Sequence, residues 1–161
     1  VKISEHMTLS FGHGFVNIRV GAIILKLGKF LMGSDKHFAY YYSVGGRIKF
    51  GETAEQAVVR EVYEETGTKM KAERLGFVHE NYFYCDTPDK NGKTMYELCF
   101  YFYMNVPDDF ELIKDNFNEG EKILRLEWIS PDHNGKIYPE FFRTELSSPC
   151  DTVKHIVTDQ R

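Results

Sequence analysis

The segment from Thr53 to Gly67 constrains this chain more than any other, because it spells a helix with both ends marked. Thr53 followed three residues later by Gln56 is a capping box, in which each side chain serves the other residue's backbone N–H, and Gly67 supplies the left-handed residue that stops a helix. The spacing predicts a helix over 54–66. At about 100° per residue, Glu61, Glu64 and Glu65 fall within an arc of roughly 100° with Glu61 in the middle. Ala54, Ala57, Val58 and Val62 lie on or beside the same arc, so the acids turn toward the side that must meet a sheet. Like charges at these spacings cost a few tenths of a kcal/mol each in water and more where water is scarce, so something must compensate. Arg60 offsets one charge. Carboxylates converging from Glu52, Glu61, Glu64 and Glu65 also make the hard, oxygen-only surroundings that Mg²⁺ or Mn²⁺ prefers. An isolated E-x-x-E-E on a helix is more often a solvated face, but the flanking glycines and Arg60 argue against that here.

The charge balance singles out the same stretch. Of 24 acidic and 20 basic residues, five acids and one base fall within 52–65, leaving 19 of each sign elsewhere. A near-neutral remainder argues against a broad basic surface for a nucleic-acid polymer, while a concentrated anionic patch calls for a cation or for water. The length of 161 residues, against roughly 150 per domain, gives one domain over 1–161 with enough chain for a full core. No apolar run approaches the roughly 20 residues of a membrane helix, and the opening Val1-Lys2-Ile3-Ser4-Glu5 lacks the basic-then-apolar order of a signal segment. Three cysteines without a CxxC pair fit a reduced, cytoplasmic protein.

Around the helix, the chain reads as strands without a regular βαβ rhythm. The β-branched run 16–27 predicts a strand, turned by Gly28-Lys29 into a short partner at 30–32. Residues 34–42 read as irregular and aromatic, and Gly45-Gly46 and Gly51 bracket a polar loop. Two long β-rich runs, 75–85 and 94–106, are joined by a turn-rich segment and should pair antiparallel. A strand over 123–129, a helix from Tyr138-Pro139 through Leu146, and a last strand over 153–158 complete an α/β chain with a mixed sheet flanked by helices.

The order of residues from Gly46 onward, five residues to Glu52, seven more, then Arg60-Glu61-Val62-Tyr63-Glu64-Glu65-Thr66-Gly67, resembles the Nudix box, G-x5-E-x7-R-E-U-x-E-E-x-G-U with U a bulky aliphatic residue. All seven fixed positions before the last U are present, and Val62 fills the first U. Thr68 departs from the final U, and Val44 replaces the Pro often found before the paired glycines. The box covers 23 of 161 residues, and the late Glu127-Trp128-Ile129-Ser130-Pro131 also looks like the wider family. The resemblance implies an α/β/α sandwich with a mixed, curved sheet. It further implies divalent-metal-dependent hydrolysis, with Mg²⁺ or its substitute Mn²⁺, of a nucleoside diphosphate linked to another group, water attacking phosphorus. Glu61, Glu64 and Glu65 become the metal-binding or base carboxylates, with Glu61 the favoured base. The Gly46 carbonyl becomes a further ligand, Glu52 a partner of the metal through water, and Arg60 the residue that holds a carboxylate in position. Relatives often recruit one more acid from the loop before the late strand, where Glu119 and Glu121 both lie and Glu121 is preferred.

The expected partner is a small nucleotide-type molecule, not a polymer or a membrane, and a homodimer is compatible with the reading. The alternative function is a nucleotide-sensing domain without turnover, whose usual sign, lost box carboxylates, is absent. A diphosphate isomerase on the same fold would need catalytic Cys and Glu positions that nothing assigns to Cys85 or Cys99. His79-Glu80 begins like a zinc-protease H-E-x-x-H pattern, but Phe83 stands at its fifth position. Ten Tyr and 13 Phe, concentrated in 38–42, 77–84 and 96–103, supply sheet core and rings able to stack on a base. Tyr84 lies near where dinucleoside-polyphosphate hydrolases of the family place a Tyr. No Pro stands where an ADP-ribose preference would have it.

Overall fold

A computed structural model of the chain describes residues 5–35, 38–112, 117–119 and 122–161. In chain order the strands are β1 (Thr8–Phe11), β2 (Gly14–Ile23), β3 (Leu25–Lys26), β4 (Lys29–Ser34), β5 (Tyr40–Ser43) and β6 (Gly45–Arg47). After helix α1 (Ala54–Thr66) come β7 (Lys71–Tyr84), β8 (Thr94–Asn105), β9 (Phe117–Glu119), β10 (Lys122–Ile129), β11 (Lys136–Tyr138), the short α2 (Phe142–Glu145) and β12 (Lys154–Asp159).

The strands form two six-stranded mixed sheets, one in the order β1-β2-β8-β7-β12 with β6 on β2, the other β11-β5-β4-β10-β9 with β3 on β4. The 75–85 and 94–106 runs pair antiparallel as their patterns require, as β7 and β8, with bulges between Ala72 and Arg74 and between Leu75 and Phe77. The 16–27 run behaves differently: β2 ends at Ile23, and Leu25–Lys26 joins the other sheet through a two-residue hairpin at Leu27 and Gly28, both at positive φ. One apolar run therefore feeds two sheets.

Alternation along β2 and β4 divides the interior into two cores. Val20, Ala22, Ile24 and Leu31 pack with Val44, Ile48 and the helical Ala57, Val58 and Val62. Ile23, Phe30 and Met32 pack instead with Phe77, Ile129 and Phe142. Thus α1 covers one side and α2 the other, an α/β/α arrangement. Burying the side chains of Val58 and Val62 outright contributes about 1.5–3 kcal/mol each relative to exposure.

Helix α1 has the expected limits and both expected caps. Thr53 Oγ1 accepts from the Gln56 N–H at 3.2 Å, Gln56 Oε1 accepts from the Thr53 N–H at 2.9 Å, and Gly67 sits at φ 71°. The expected helix over 138–146 is reduced to α2, which starts only at Phe142 because the chain first runs extended as β11 beside β5. The stretch expected to be irregular, 34–42, runs into β5, and Gly45-Gly46, expected to open a loop, lie in β6, since Tyr42 pairs with Gly33 and Gly46 with Val20.

Candidate active site

The capped helix sets its acids at two depths. Glu61 and Glu65 are buried at 5% and 7% exposure, in line with the apolar face, whereas Glu64 turns outward. Arg60 ties the group together. Its Nε and Nη2 donate to the two Glu52 oxygens at 2.6 and 3.0 Å, and its Nη1 donates to Glu61 Oε1 at 2.7 Å and Glu64 Oε2 at 3.1 Å. Nη2 also donates to the Arg47 carbonyl at 3.3 Å. The hydrogen bond from Arg60, reinforced by the Lys49 N–H, holds the Glu52 carboxyl below the usual carboxylate range, and Glu52 in turn pushes the Arg60 guanidinium up. One cation thus offsets three neighbouring charges, where the sequence assigned it one.

The paired glycines touch the acids directly. Gly45 N–H donates to Glu65 Oε1 at 3.3 Å. A Cβ on Gly46 would stand 2.5 Å from Glu61 Oε1 and 2.6 Å from its Cδ, so only glycine lets this backbone lie against the buried carboxylate. Glu52, Glu61 and Glu64 are therefore assembled around the Arg60 guanidinium, with Gly46 against Glu61 and Glu65 against Gly45. Glu121 lies outside the described residues. Glu119 closes β9, a strand that runs beside α1.

A divalent ion fits this set in donor chemistry, since every side-chain donor is a carboxylate oxygen and Gly46 offers a carbonyl at the same place. The arrangement differs from a closed cage: among the described residues no three acids converge on one point, because Arg60 draws the Glu52, Glu61 and Glu64 oxygens to itself.

From Gly45 and Glu65 a cleft of about 680 Å³ opens away from the helix. Its floor is the odd-numbered face of β7 and β8. Arg19 Nε lies 3.2 Å from Glu97 Oε2, and the carboxylate raises the guanidinium's proton affinity further. Deeper in, Thr158 donates to Asn81 Oδ1 at 2.6 Å and faces His79 Nε2 at 2.8 Å. With its own hydrogen committed to Asn81, the Thr158 oxygen accepts from His79, which places a hydrogen on Nε2. Burial favours the neutral ring, pushing His79 from 6.5 down to about 4. The far wall is aromatic: Phe38, Tyr40, Tyr84 and Tyr138 all line it.

Sequence reasoning missed Arg19, Glu97 and Asn81, and it dismissed His79 with the failed zinc pattern. A signal existed on β8, where Glu97 shares alternation with Cys99, Tyr101 and Tyr103. A charge on an otherwise apolar strand face marks a polar cavity or a partner across the sheet. Tyr84 does line the cleft, at 57% exposure.

A model of the NUDIX domain matches residues 17–145. Among solved structures, the fold recurs in the mutator MutT protein from Bacillus halodurans, with a TM-score of 0.62 at 17% identity over 89% of this chain and 91% of that one. It recurs in a UDP-X diphosphatase (0.59, 16%, 92% and 69%). An ADP-ribose pyrophosphatase from Streptococcus suis 89-1591 shares it as well (0.57, 15%, 88% and 98%). At these identities the likeness is one of fold.

Proposed function

We infer the function from one premise: the chain belongs to the Nudix family, whose domain covers residues 17–145 of its 161. It is a pyrophosphohydrolase of a family that generally uses divalent metal ions. The finer reading is a Mg²⁺-dependent hydrolase, with Mn²⁺ as substitute, acting on a nucleoside diphosphate linked to another group. The observation that carries it is the Arg60 assembly, which brings the Glu52, Glu61 and Glu64 carboxylates to one guanidinium beside Gly46.

In this reading Glu61, Glu64 and Glu65, with the Gly46 carbonyl, hold the ion. When bound, the ion supplies charge neutralisation on the phosphate oxygens and a lowered pKa for attacking water. Glu61, buried and fixed by Arg60, takes the water's proton. Arg60 is a positioning residue that holds the Glu61 and Glu64 carboxylates, and Glu52 acts through Arg60. Glu121, or Glu119 at the end of the strand beside α1, supplies one more acid. Water attacks phosphorus and the bridging oxygen leaves, giving two phosphorylated products.

We place the enzyme in the cytoplasm as a single domain over 1–161 acting on small molecules. Cys85, Cys99 and Cys150 are free thiols, and no helix among the described residues is long and apolar enough to cross a membrane. The test is a screen of nucleoside triphosphates, nucleotide sugars, ADP-ribose, NADH, CoA and dinucleoside polyphosphates with Mg²⁺, alongside Glu64→Gln. Turnover of at least one compound, lost in the variant and on chelation, is expected. If every compound survives, the nucleotide-sensing alternative replaces this reading.

A further inference from the structure

A polar row crosses the sheet beneath the cleft. Thr8, Asn17, Glu97, Asn81 and Thr158 stand side by side on β1, β2, β8, β7 and β12, and directly paired residues share one sheet face. The row is hydrogen-bonded inward from both edges. On one side Arg47 Nη1 donates to Thr8 Oγ1 at 3.0 Å, and Thr8 Oγ1 in turn to Asn17 Oδ1 at 2.8 Å. On the other, His79 Nε2 donates to Thr158 Oγ1 at 2.8 Å and Thr158 to Asn81 Oδ1 at 2.6 Å. Both amide carbonyls are thus taken up by the outer strands, which leaves the amide nitrogens toward Glu97 on the middle strand. Asn17 is buried, whereas Glu97, Asn81 and Thr158 line the cleft. Glu97 Oε2 is buried beside Arg19, so Oε1 is the carboxylate oxygen open to the cleft. A fixed donor on Asn81 and a fixed acceptor on Glu97 therefore lie next to each other.

We propose that Asn81 and Glu97 read one edge of the nucleobase, Asn81 donating to a ring carbonyl and Glu97 accepting from the neighbouring ring N–H, with Thr158 and His79 as positioning residues that hold the Asn81 amide in its reading orientation. The inference rests on the reading of the site as a nucleoside-diphosphate hydrolase and names the residues that choose among its bases. Cross-strand partners stand with Cβ atoms about 5 Å apart, close enough for two side chains to meet adjacent ring atoms. A carbonyl beside an N–H satisfies both. An amino base offers the reverse, an NH₂ facing the amide nitrogen and a bare ring nitrogen facing the carboxylate, and leaves two desolvated polar groups unpaired. A free asparagine escapes this by turning its amide over. Here the turn would set the Asn81 nitrogen against the Thr158 hydroxyl, whose oxygen already accepts from His79. His79 is itself 5% exposed and held edge-on by Phe141 at 5.1 Å and 85°, so the chain of donors starts from a ring that cannot swing away.

Titration calorimetry on the full chain with Mg²⁺ tests this using the non-hydrolysable α,β-methylene diphosphates of uridine, cytidine, inosine and adenosine. In whichever pair binds, uridine over cytidine or inosine over adenosine, the carbonyl base should be preferred roughly 10- to 100-fold. Asn81→Asp combined with Glu97→Gln exchanges donor and acceptor at unchanged net charge and should invert the preference. Thr158→Val should reduce it to a few-fold by freeing the amide, and Thr158→Ser, which keeps the hydroxyl, should restore it. Nitrogen NMR should find the His79 ring hydrogen on Nε2. Equal affinity within both pairs, preference for the amino bases, no binding of any of the four, an undiminished preference in Thr158→Val, or a His79 hydrogen on Nδ1 alone overturns the proposal. Hydrolysis of the glucose esters of the four parent diphosphates is followed separately: turnover of all four without preference refutes the reading pair and leaves the pyrophosphohydrolase reading intact. A base preference in binding without turnover of any ester does the reverse.

Discussion

At the helix end of the cleft, Arg60 holds Glu52, Glu61 and Glu64 with its nitrogens 2.6–3.1 Å from their oxygens, and the geometry has almost no slack. At the far end, rings lie about 5.0 Å apart with open faces, and Arg19 is already bound by Glu97. The first region is made of directional, charge-assisted contacts whose strength falls steeply with displacement. The second is made of surfaces that tolerate displacement and select by shape. Chemistry placed at the first end and recognition at the second is the division this contrast teaches, and substitutions at the two ends should fail in different ways.

The largest effect belongs to Glu61→Gln. It keeps the volume of a side chain that is 5% exposed and removes its negative charge, so kcat should fall on the order of 10²–10⁴-fold, with KM little changed. Steady-state kinetics with Mg²⁺ measure this. A kcat within a factor of about three of wild type would move the proton-accepting role to another acid and weaken the contrast between the ends.

Gly46→Ala probes the same end without touching a charge. The new Cβ, 2.5 Å from Glu61 Oε1, must displace the carboxylate from its Arg60 contact, and a misplacement near 1 Å is worth up to about 10²-fold in rate. A 10- to 100-fold loss in kcat is expected, with a melting temperature within a few degrees of wild type, because the atom displaced is the end of a side chain and not backbone. A large drop in melting temperature with little kinetic effect would make Gly46 a folding residue only.

What the sequence reveals follows this same division. Gly46, Glu52, Arg60, Glu61, Glu64 and Glu65 lie within 20 consecutive positions, and helical periodicity with a capping box relates them, so the charged end was legible together with α1 and the β7–β8 hairpin. Even there, periodicity placed the three acids on one arc but did not show that Glu64 turns to water while Glu61 and Glu65 stay buried. The far end draws on Asp35, Phe38 and Tyr40 together with residues of 81–86 and 138–140, brought together by pairings that no local period encodes: β11 on β5 in parallel and β12 on β7 in parallel. The split of 16–27 between two sheets was hidden for the same reason, since one apolar run satisfies either partner. Short strands such as β5 and β11 owe their existence to a neighbour, not to propensity.

The two ends should also separate in acid. His79, held neutral by burial with its value at about 4 against 6.5 when free, stays unprotonated in the folded state while the unfolded chain takes up a proton. Stability therefore falls as pH drops from about 6.5 toward 4. Glu52, held low by Arg60, contributes stability that is present above its ordinary value of 4.5 and lost only below it. Denaturant unfolding at pH 7, 5.5 and 4 should show the first loss in wild type and a flatter profile in His79→Gln, with the loss below 4.5 retained. An unchanged slope between pH 6.5 and 4.5 in the variant would assign that limb elsewhere.

Tyr138→Ala should give the smallest change, and its form matters more than its size. The ring is 40% exposed and meets Tyr40 edge-on, so its removal costs the fold little. A stacking contact of about 1 kcal/mol corresponds to a roughly fivefold weaker complex. Because that contact exists equally in the ground and transition states, it should raise KM and leave kcat in place. The rise should disappear with a nucleoside triphosphate, which carries no organic group to reach the rings. A fall in kcat instead would mean that the far wall helps to align the diphosphate at the Arg60 end, and the two regions would then act as one rigid unit and not as separable devices.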